Sequence, residues 1–580
     1  MTRAQVAISI GQYSTAGAKE ANQDFHGSLV PENGLLASKG IAIAIADGIS
    51  TSALGAAAAE TAVKSFLTDY FATSEAWSVQ TSAQRVISAT NSWMYAQNAR
   101  GYIGAPSDEE RERGMVCTFS AMVFKSRSAH LFHIGDARIA RIAGNSIETL
   151  TEAHRVHLGG GESYLGRAMG VNRHVEIDYR RIAVQPGDIF ALTTDGVHEF
   201  LPDAAIAEAA AANDNLDSVA RIIAEAALAA GSQDNLTVQL ARIDTLPDGA
   251  IDDLIGDQVA LPPAPRLEPG QTFEGYSILR ELHSGSRSHV YLARDKADGS
   301  KVALKVPATE HAQDPAQMQA LLLEEWVARR ISNPHVLKAA PIRGARRHAY
   351  SVTEYVEGRT LDSWMHDNPE PDLAVVRSLV SQVAAGLQAL HRREMIHRDL
   401  RPHNVIVDAD GTARLIDFGS AQVAGLDDIA PRDFEDAAFA GTMQYSAPEL
   451  YLGHPASRRS DIYSLGVIAY QMLTGRLPYG PRVAAANTRA AQKRLRYAPA
   501  TEFNPAVPDW MDAAIAKAVS IDPAERYEEL SEFTFDLAHP NPSLVTPDPR
   551  PLLQRKPERL WQAISAVLFV LLMLTLWRGG

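Results

Sequence analysis

Residues 246–270 carry Pro247, Pro262, Pro263, Pro265 and Pro269 in an acidic setting, and a stretch of that kind neither continues a helix nor joins the middle of a sheet. It reads as a linker, a spacer between folded units, and the rest of the chain is expected to fold on either side of it. A single hydrophobic core rarely grows past about 300 residues, so the 580-residue chain is expected to be multidomain, with one unit over residues 1–245 and another over 271–538. Apolar residues make up 46% and charged residues 21%, which fits packed globular domains and excludes a largely disordered chain. The 55 basic and 69 acidic residues leave a net charge of −14, so nucleic acid is not an expected partner. Cys117 is the single cysteine, which rules out an internal disulfide and a thiolate-based zinc site.

The N-terminus lacks the basic, apolar and small-residue succession of a signal peptide. A second proline run, residues 539–557, reads as an extended spacer. It leads to an apolar run from Leu560 to Trp577, broken only by Gln562, Ser565 and Thr575. About 20 apolar residues cross a bilayer, and Trp561 and Trp577 stand where interfacial aromatics belong. Arg550, Arg555, Lys556 and Arg559 precede the run and Arg578 alone follows it. A transmembrane helix is expected over residues 558–578, with the bulk of the chain in the cytoplasm and no sensor domain beyond the membrane. Apolar residues on every face oppose the other reading, an amphipathic helix docked on the preceding domain.

In the first half, short strand patterns alternate with Ala-rich helical ones, and several strands end in acidic turns. KEANQDF places Asp24 after a turn, IADG ends in Asp47, TTDG in Asp195, and SQDN sets Asp234 before another strand. Hard divalent cations take oxygen ligands, and two of them can share a deprotonated water and clamp a phosphoryl group, so four convergent aspartates would suit hydrolysis. A lone Asp-Gly pair is usually only a turn; the ordered set is more specific. With K-x-x-N-x-D at Lys19 to Asp24, A-D-G at Ala46 to Gly48, G-D-A-R at Gly135 to Arg138, L-T-x-x-H at Leu150 to His154, LGRAMG, T-D-G at Thr194 to Gly196 and D-N-x-T at Asp234 to Thr237, residues 4–243 resemble the metal-dependent, type 2C Ser/Thr protein phosphatases. The resemblance implies an α+β, α/β-sandwich fold. It assigns two Mn²⁺ or Mg²⁺ ions to Asp24, Asp47, the Gly48 carbonyl, Asp195 and Asp234, with phosphate met by Lys19. Lys19 stands where the family usually has Arg, and Gln23 where it usually has Glu, which implies a weaker phosphate grip and one anionic ligand fewer. A cysteine phosphatase needs an Arg six positions after its thiolate, and Val123 stands there, so Cys117 reads as a core residue.

The second half opens on strands, then VALK, an apolar-periodic helix from Gln317 to Ile331, SVTEYVEG, long helical patterns, IHRDLRPHNVIVD and IDFG. This set resembles a eukaryotic-like Ser/Thr protein kinase over residues 272–538 and implies a bilobal α+β fold. Phosphoryl transfer needs placed cations and an oriented hydroxyl more than covalent help. By the resemblance, Lys305 meets the ATP phosphates and pairs with Glu324, although Glu325 is adjacent. Asp399 accepts the substrate hydroxyl proton, Asn404 and Asp417 hold Mg²⁺, and Gly285, Val290, Ala303, Glu354 and Val356 line the nucleotide site. The nucleotide loop LHSGSRSHV keeps only Gly285, with His283 and Ser288 at the other two glycine positions, so phosphate cover is expected to be loose.

The expectation is a membrane-anchored bifunctional signalling enzyme of bacterial type, acting on Ser/Thr and phospho-Ser/Thr of proteins, whose front half erases phosphates that the back half installs. Ser420, Thr442 and Ser446 are the candidate phosphosites, with Arg398 as a basic partner. The alternatives are an ATP-binding pseudokinase that gates an active phosphatase, motivated by the glycine-poor loop, and an inactive phosphatase fold serving as a regulatory module.

Overall fold

The computed structural model describes residues 5–32, 34–99, 114–144, 146–158, 162–247, 261–285, 287–308, 314–429, 444–544 and 565. The N-terminal domain is built on β1 (Ala7–Thr15), β2 (Asp24–Leu29), β3 (Ile41–Asp47), β4 (Phe119–Lys125), β5 (Ser128–Ile134), β6 (Arg138–Ala143), β7 (Ser146–Thr149), β8 (Arg155–Leu158), β9 (Glu162–Leu165), β10 (Asp178–Ala183), β11 (Ile189–Thr193) and β12 (Leu236–Thr245). One sheet has the order β1-β12-β11-β6-β7 and the other β10-β5-β4-β3-β2; β8 and β9 form a separate hairpin. Ile41, Ile43 and Ile45 of β3 pack with Met122, Phe124, Ile139, Phe190 and Leu192 between the sheets, while Ala42, Ala44 and Ala46 face the other way. The period of two thus gives β3 two apolar faces, one for the sheet-to-sheet core and one for helices. Those helices are Gly55–Ala72 and Val79–Ala99; Asp203–Ala212 and Leu216–Ala229 cover the opposite sheet. The result is a four-layer α+β sandwich whose strand ends carry the acidic turns.

The C-terminal domain has a five-stranded antiparallel lobe, β13 (Thr272–Phe273), β14 (Tyr276–Ser284), β15 (Ser288–Asp295), β16 (Lys301–Pro307) and β17 (Ser351–Glu354), with the helix Pro315–Arg330 against it. Asp314 caps that helix by accepting the Ala316 N–H at 3.0 Å, and Pro315 occupies its first turn, where no donor is needed. The larger lobe is helical and centred on Leu373–His391 and Arg458–Thr474. Of the described helices, Leu373–His391 is long and apolar enough to cross a bilayer, but its inner face is core: Val376, Leu379, Val380, Val383, Leu387 and Leu390 are all buried in this lobe.

The proline-rich stretch differs from the expected spacer in its second half. Ala264 and Leu267 are buried in the core of the small lobe, the Ala264 N–H donates to the Ala349 carbonyl at 3.3 Å, and the Leu267 N–H donates to the Tyr291 hydroxyl at 3.3 Å. The prolines hold this segment extended, and its two apolar residues fill the lobe's flank. Residues 248–260, the expected transmembrane run apart from Ser565, and Thr442 lie outside the described residues.

Candidate functional sites

The first site forms where β2 and β3 end side by side. Asp24 and Asp47 are cross-strand partners, so both carboxylates are delivered to one sheet end. Asp24 is buried, and its Oδ2 accepts the Thr194 and Thr237 hydroxyls at 2.9 and 2.7 Å. Its Oδ1 is also buried and has no hydrogen-bond partner among the described residues. Asp195 begins the short helix Asp195–His198 after β11, and Asp234 precedes β12. Gly48 turns the chain toward the Gly55–Ala72 helix. A Cβ on Gly48 would fall 2.2 Å from the Gly55 carbonyl oxygen, so no other residue fits that turn.

These carboxylates repel one another. Burial, then Asp24 and Asp195, pushes Asp47 well above the usual carboxylate range, and burial, then Asp136 and Asp234, pushes Asp195 up to about 7. Two cations temper the cluster. Lys19 Nζ donates to Ser50 Oγ at 2.7 Å and pairs with Asp234, while Arg155 donates to Asp136 at 2.8 Å and Asp195 at 3.0 Å and pairs with Glu199. Among the described residues no three His, Cys, Asp or Glu side chains close into a ready metal cage. The donor set nevertheless fits hard divalent cations, because the oxygens are anionic, crowded and, at Asp24 Oδ1, lacking a partner. All the sequence-singled positions, Lys19, Asp24, Asp47, Gly48, Asp195 and Asp234, belong to this neighbourhood. Arg155 was not expected. It directly follows the LTEAH motif, and only the folded β8 brings it to Asp195.

The second site lies between the lobes of the C-terminal domain. Lys305 on β16 reaches Glu324 Oε2 at 2.6 Å and Asp417 Oδ1 at 3.6 Å. Burial opposes the ammonium's charge, but Asp417 and Glu324 together outweigh it and hold Lys305 above its usual range. Lys305 likewise holds the Asp417 carboxyl below its own. Glu325 points away, to Arg346 at 2.8 Å and to Arg329, which resolves the choice between the two adjacent glutamates. Asn404 Nδ2 donates to the Asp399 carbonyl at 2.7 Å and to Asp399 Oδ2 at 3.2 Å, tying the two loop residues together. Burial pushes the Asp399 carboxyl above the usual carboxylate range. Arg398 and Asp417 take positive φ values of 68° and 65°, and Asp461 steadies the loop by accepting the His397 and Arg398 N–H groups at 2.9 and 3.1 Å.

The positions expected to line a nucleotide gather on and beside one sheet. Val290 pairs with both His283 and Lys305, Ala303 pairs with Thr353, Glu354 ends β17 opposite Val302, and Val356 lies two residues beyond it. Gly285 closes the β14–β15 turn, its N–H donating to the Ser288 carbonyl at 3.0 Å. Asn404 and Asp417 offer side-chain oxygens of the kind Mg²⁺ takes, and the Lys305–Glu324 pair is already formed.

Comparison with known proteins adds the family context. The chain matches the protein kinase domain family over residues 276–539 and the protein phosphatase 2C family over residues 12–241. It is 29% identical over 262 residues to the serine/threonine-protein kinase PrkC of Bacillus subtilis, covering 45% of this chain and 40% of that protein. To the serine/threonine-protein kinase Pkn1 of Myxococcus xanthus it is 34% identical over 262 residues, covering 44% and 37%. The chain thus spans well under half the length of these curated relatives. Among solved structures, the S. agalactiae serine/threonine phosphatase is similar at 21% identity and a TM-score of 0.36, covering 41% of this chain and 100% of that one.

Proposed function

We propose that this chain, which carries a PP2C-like phosphatase domain followed by a Ser/Thr protein kinase domain, is a bifunctional signalling enzyme held at the cytoplasmic membrane by the apolar run at residues 558–578. The kinase domain transfers the ATP γ-phosphate to Ser or Thr of proteins, and the phosphatase domain removes phosphate from the same class of side chain, its own chain's phosphosites included. The observation that carries the kinase reading is the formed Lys305–Glu324 pair beside Asp399, Asn404 and Asp417. That arrangement favours transfer over the ATP-binding scaffold suited to the glycine-poor loop. In it, Lys305 orients the phosphates, Asp399 takes the hydroxyl proton, and Asn404 fixes the Asp399 carboxylate. Asn404 and Asp417 would hold Mg²⁺, which would supply positive charge to the phosphate oxygens.

For the phosphatase, Asp24, Asp47, the Gly48 carbonyl, Asp195 and Asp234 would hold two Mn²⁺ or Mg²⁺ ions, which supply an activated water. Lys19, beside Asp234, would meet a phosphate oxygen, and Thr194 and Thr237 hold Asp24 in place by hydrogen bonds. Tethering raises the effective concentration of each domain for the other's phosphosites. The test uses the full chain on two substrates, a Ser/Thr-containing protein with ATP and Mg²⁺, and a phosphothreonine peptide with Mn²⁺. Asp399→Asn should lose transfer alone and Asp195→Asn hydrolysis alone; a parent chain without either activity would contradict the reading.

A further inference from the structure

The two domains meet on a built surface. On the phosphatase side it consists of the turn between the helices Gly55–Ala72 and Val79–Ala99 together with the β4–β5 hairpin. Ala76 of the turn is fully buried and belongs to the kinase's own hydrophobic core, and its carbonyl accepts the Gly425 N–H at 2.9 Å. Gly425 lies eight positions after Asp417. A Cβ there would sit 2.6 Å from the Glu75 carbonyl oxygen and 3.0 Å from those of Ala76 and Trp77, so the backbones touch only because this residue is glycine. Lys125, with none of its side chain exposed, donates to the Gly425 carbonyl at 2.6 Å and lies 3.4 Å from Asp428. Asp428 also accepts the Val79 N–H at 2.8 Å, and its carbonyl accepts Arg181 at 2.9 Å. A buried lysine whose charge partner lies in the other domain is costly unless the domains stay together.

The same surface grips two more kinase elements. Glu394, held at φ 56°, accepts the Ser78 N–H at 2.9 Å and the Thr81 hydroxyl at 2.6 Å, and its own carbonyl accepts the Ala424 N–H at 3.1 Å. Arg330, the last residue of the helix that carries Glu324, pairs with Glu75 at 2.7 Å. Lys39 stiffens the turn from behind, donating to Thr73 Oγ1 and the Ser74 carbonyl at 2.7 Å each. The docked elements are thus the stretch following Asp417, the turn preceding the Asp399 loop and the helix bearing Glu324, the three whose placement phosphoryl transfer needs.

We propose that the phosphatase domain is a fixed clamp on its own kinase: through Ala76, Lys125 and the Glu394 contacts it holds residues 424–429 and the end of the Pro315–Arg330 helix in the transferring arrangement. Kinase activity then depends on docking, separately from hydrolysis. The dependence rests on the reading of the second half as an active kinase, whereas the docking stands apart from it. In the full chain, Ala76→Arg places a charged side chain in the buried contact without altering the kinase sequence, and Gly425→Val breaks the contact from the kinase side. Hydrogen exchange over residues 74–82, 315–330 and 421–429, hydrolysis of a phosphothreonine peptide and transfer from ATP are read together. Both variants should speed exchange in these segments and lower transfer by about tenfold, with hydrolysis retained as the sign of an intact phosphatase fold. Unchanged exchange would overturn the docking, and transfer equal to or above the parent's would overturn the activating role. A parent that transfers nothing would end both the kinase reading and the dependence, while exchange would still report the docked surface.

Discussion

Four aspartates at neighbouring strand ends are a burden to the fold unless cations sit among them. Asp195, pushed up to about 7, binds more protons folded than unfolded between the ordinary carboxylate range and pH 7, so metal-free stability falls as pH rises through that window. Thermal unfolding of the phosphatase transition should therefore show a Mn²⁺-induced rise in Tm that grows from pH 5 to pH 7.5; a pH-independent rise would contradict this. At the kinase centre, Asp399→Asn removes the proposed proton acceptor while leaving an acceptor for Asn404 Nδ2, so transfer should drop by about a hundredfold or more with little change in ATP binding. Equal losses in nucleotide affinity and rate would mean that Asp399 serves binding instead. That these residues would come together was legible beforehand because each motif is local: the turn that carries the aspartate also contains the glycine or asparagine that shapes it. Arg155 was not legible, since its partners Asp136, Asp195 and Glu199 reach it only through the folded sheet.

At the scale of elements, apolar period located the main helices, with the Gln317–Ile331 pattern appearing as the helix Pro315–Arg330. Composition alone cannot distinguish Leu373–His391, a core helix, from a membrane span, because lobe interior and lipid both reward the same residues. Proline content misled in the same way at residues 261–270, where an extended segment found a lobe to lie against. Buried polar anchors join the larger lobe's elements. Arg526, with none of its side chain exposed, donates to Glu449 at 2.9 and 2.7 Å, linking the turn ahead of the Arg458–Thr474 helix to the stretch before the Leu530–Ala538 helix. Arg526→Leu strands a buried carboxylate and should destabilise the kinase transition by about 3–5 kcal/mol in denaturant unfolding. A loss below about 1 kcal/mol, typical of an exposed pair, would show that Glu449 finds another partner.

At the scale of the whole molecule, the motifs told of two catalytic domains, and nothing in SEAWS or FKSRS told that they dock. Glu75, Ala76, Lys125 and Ser126 read as ordinary turn residues; their partners lie about 250 to 350 positions away along the chain. The membrane reading makes a separate prediction: ending the chain at residue 544 should move it from the membrane fraction to the soluble one, and a truncated protein that still sediments with membranes would contradict the anchor. The central claim is that opposed activities act on one polypeptide. It is tested most directly by phosphosite mass spectrometry of residues 1–544 after incubation with ATP, Mg²⁺ and Mn²⁺, comparing the parent with Asp47→Asn and Asp399→Asn. Phosphate that accumulates on Asp47→Asn, stays scarce on the parent and is absent from Asp399→Asn is the predicted result. Equal phosphate on the parent and Asp47→Asn would contradict it.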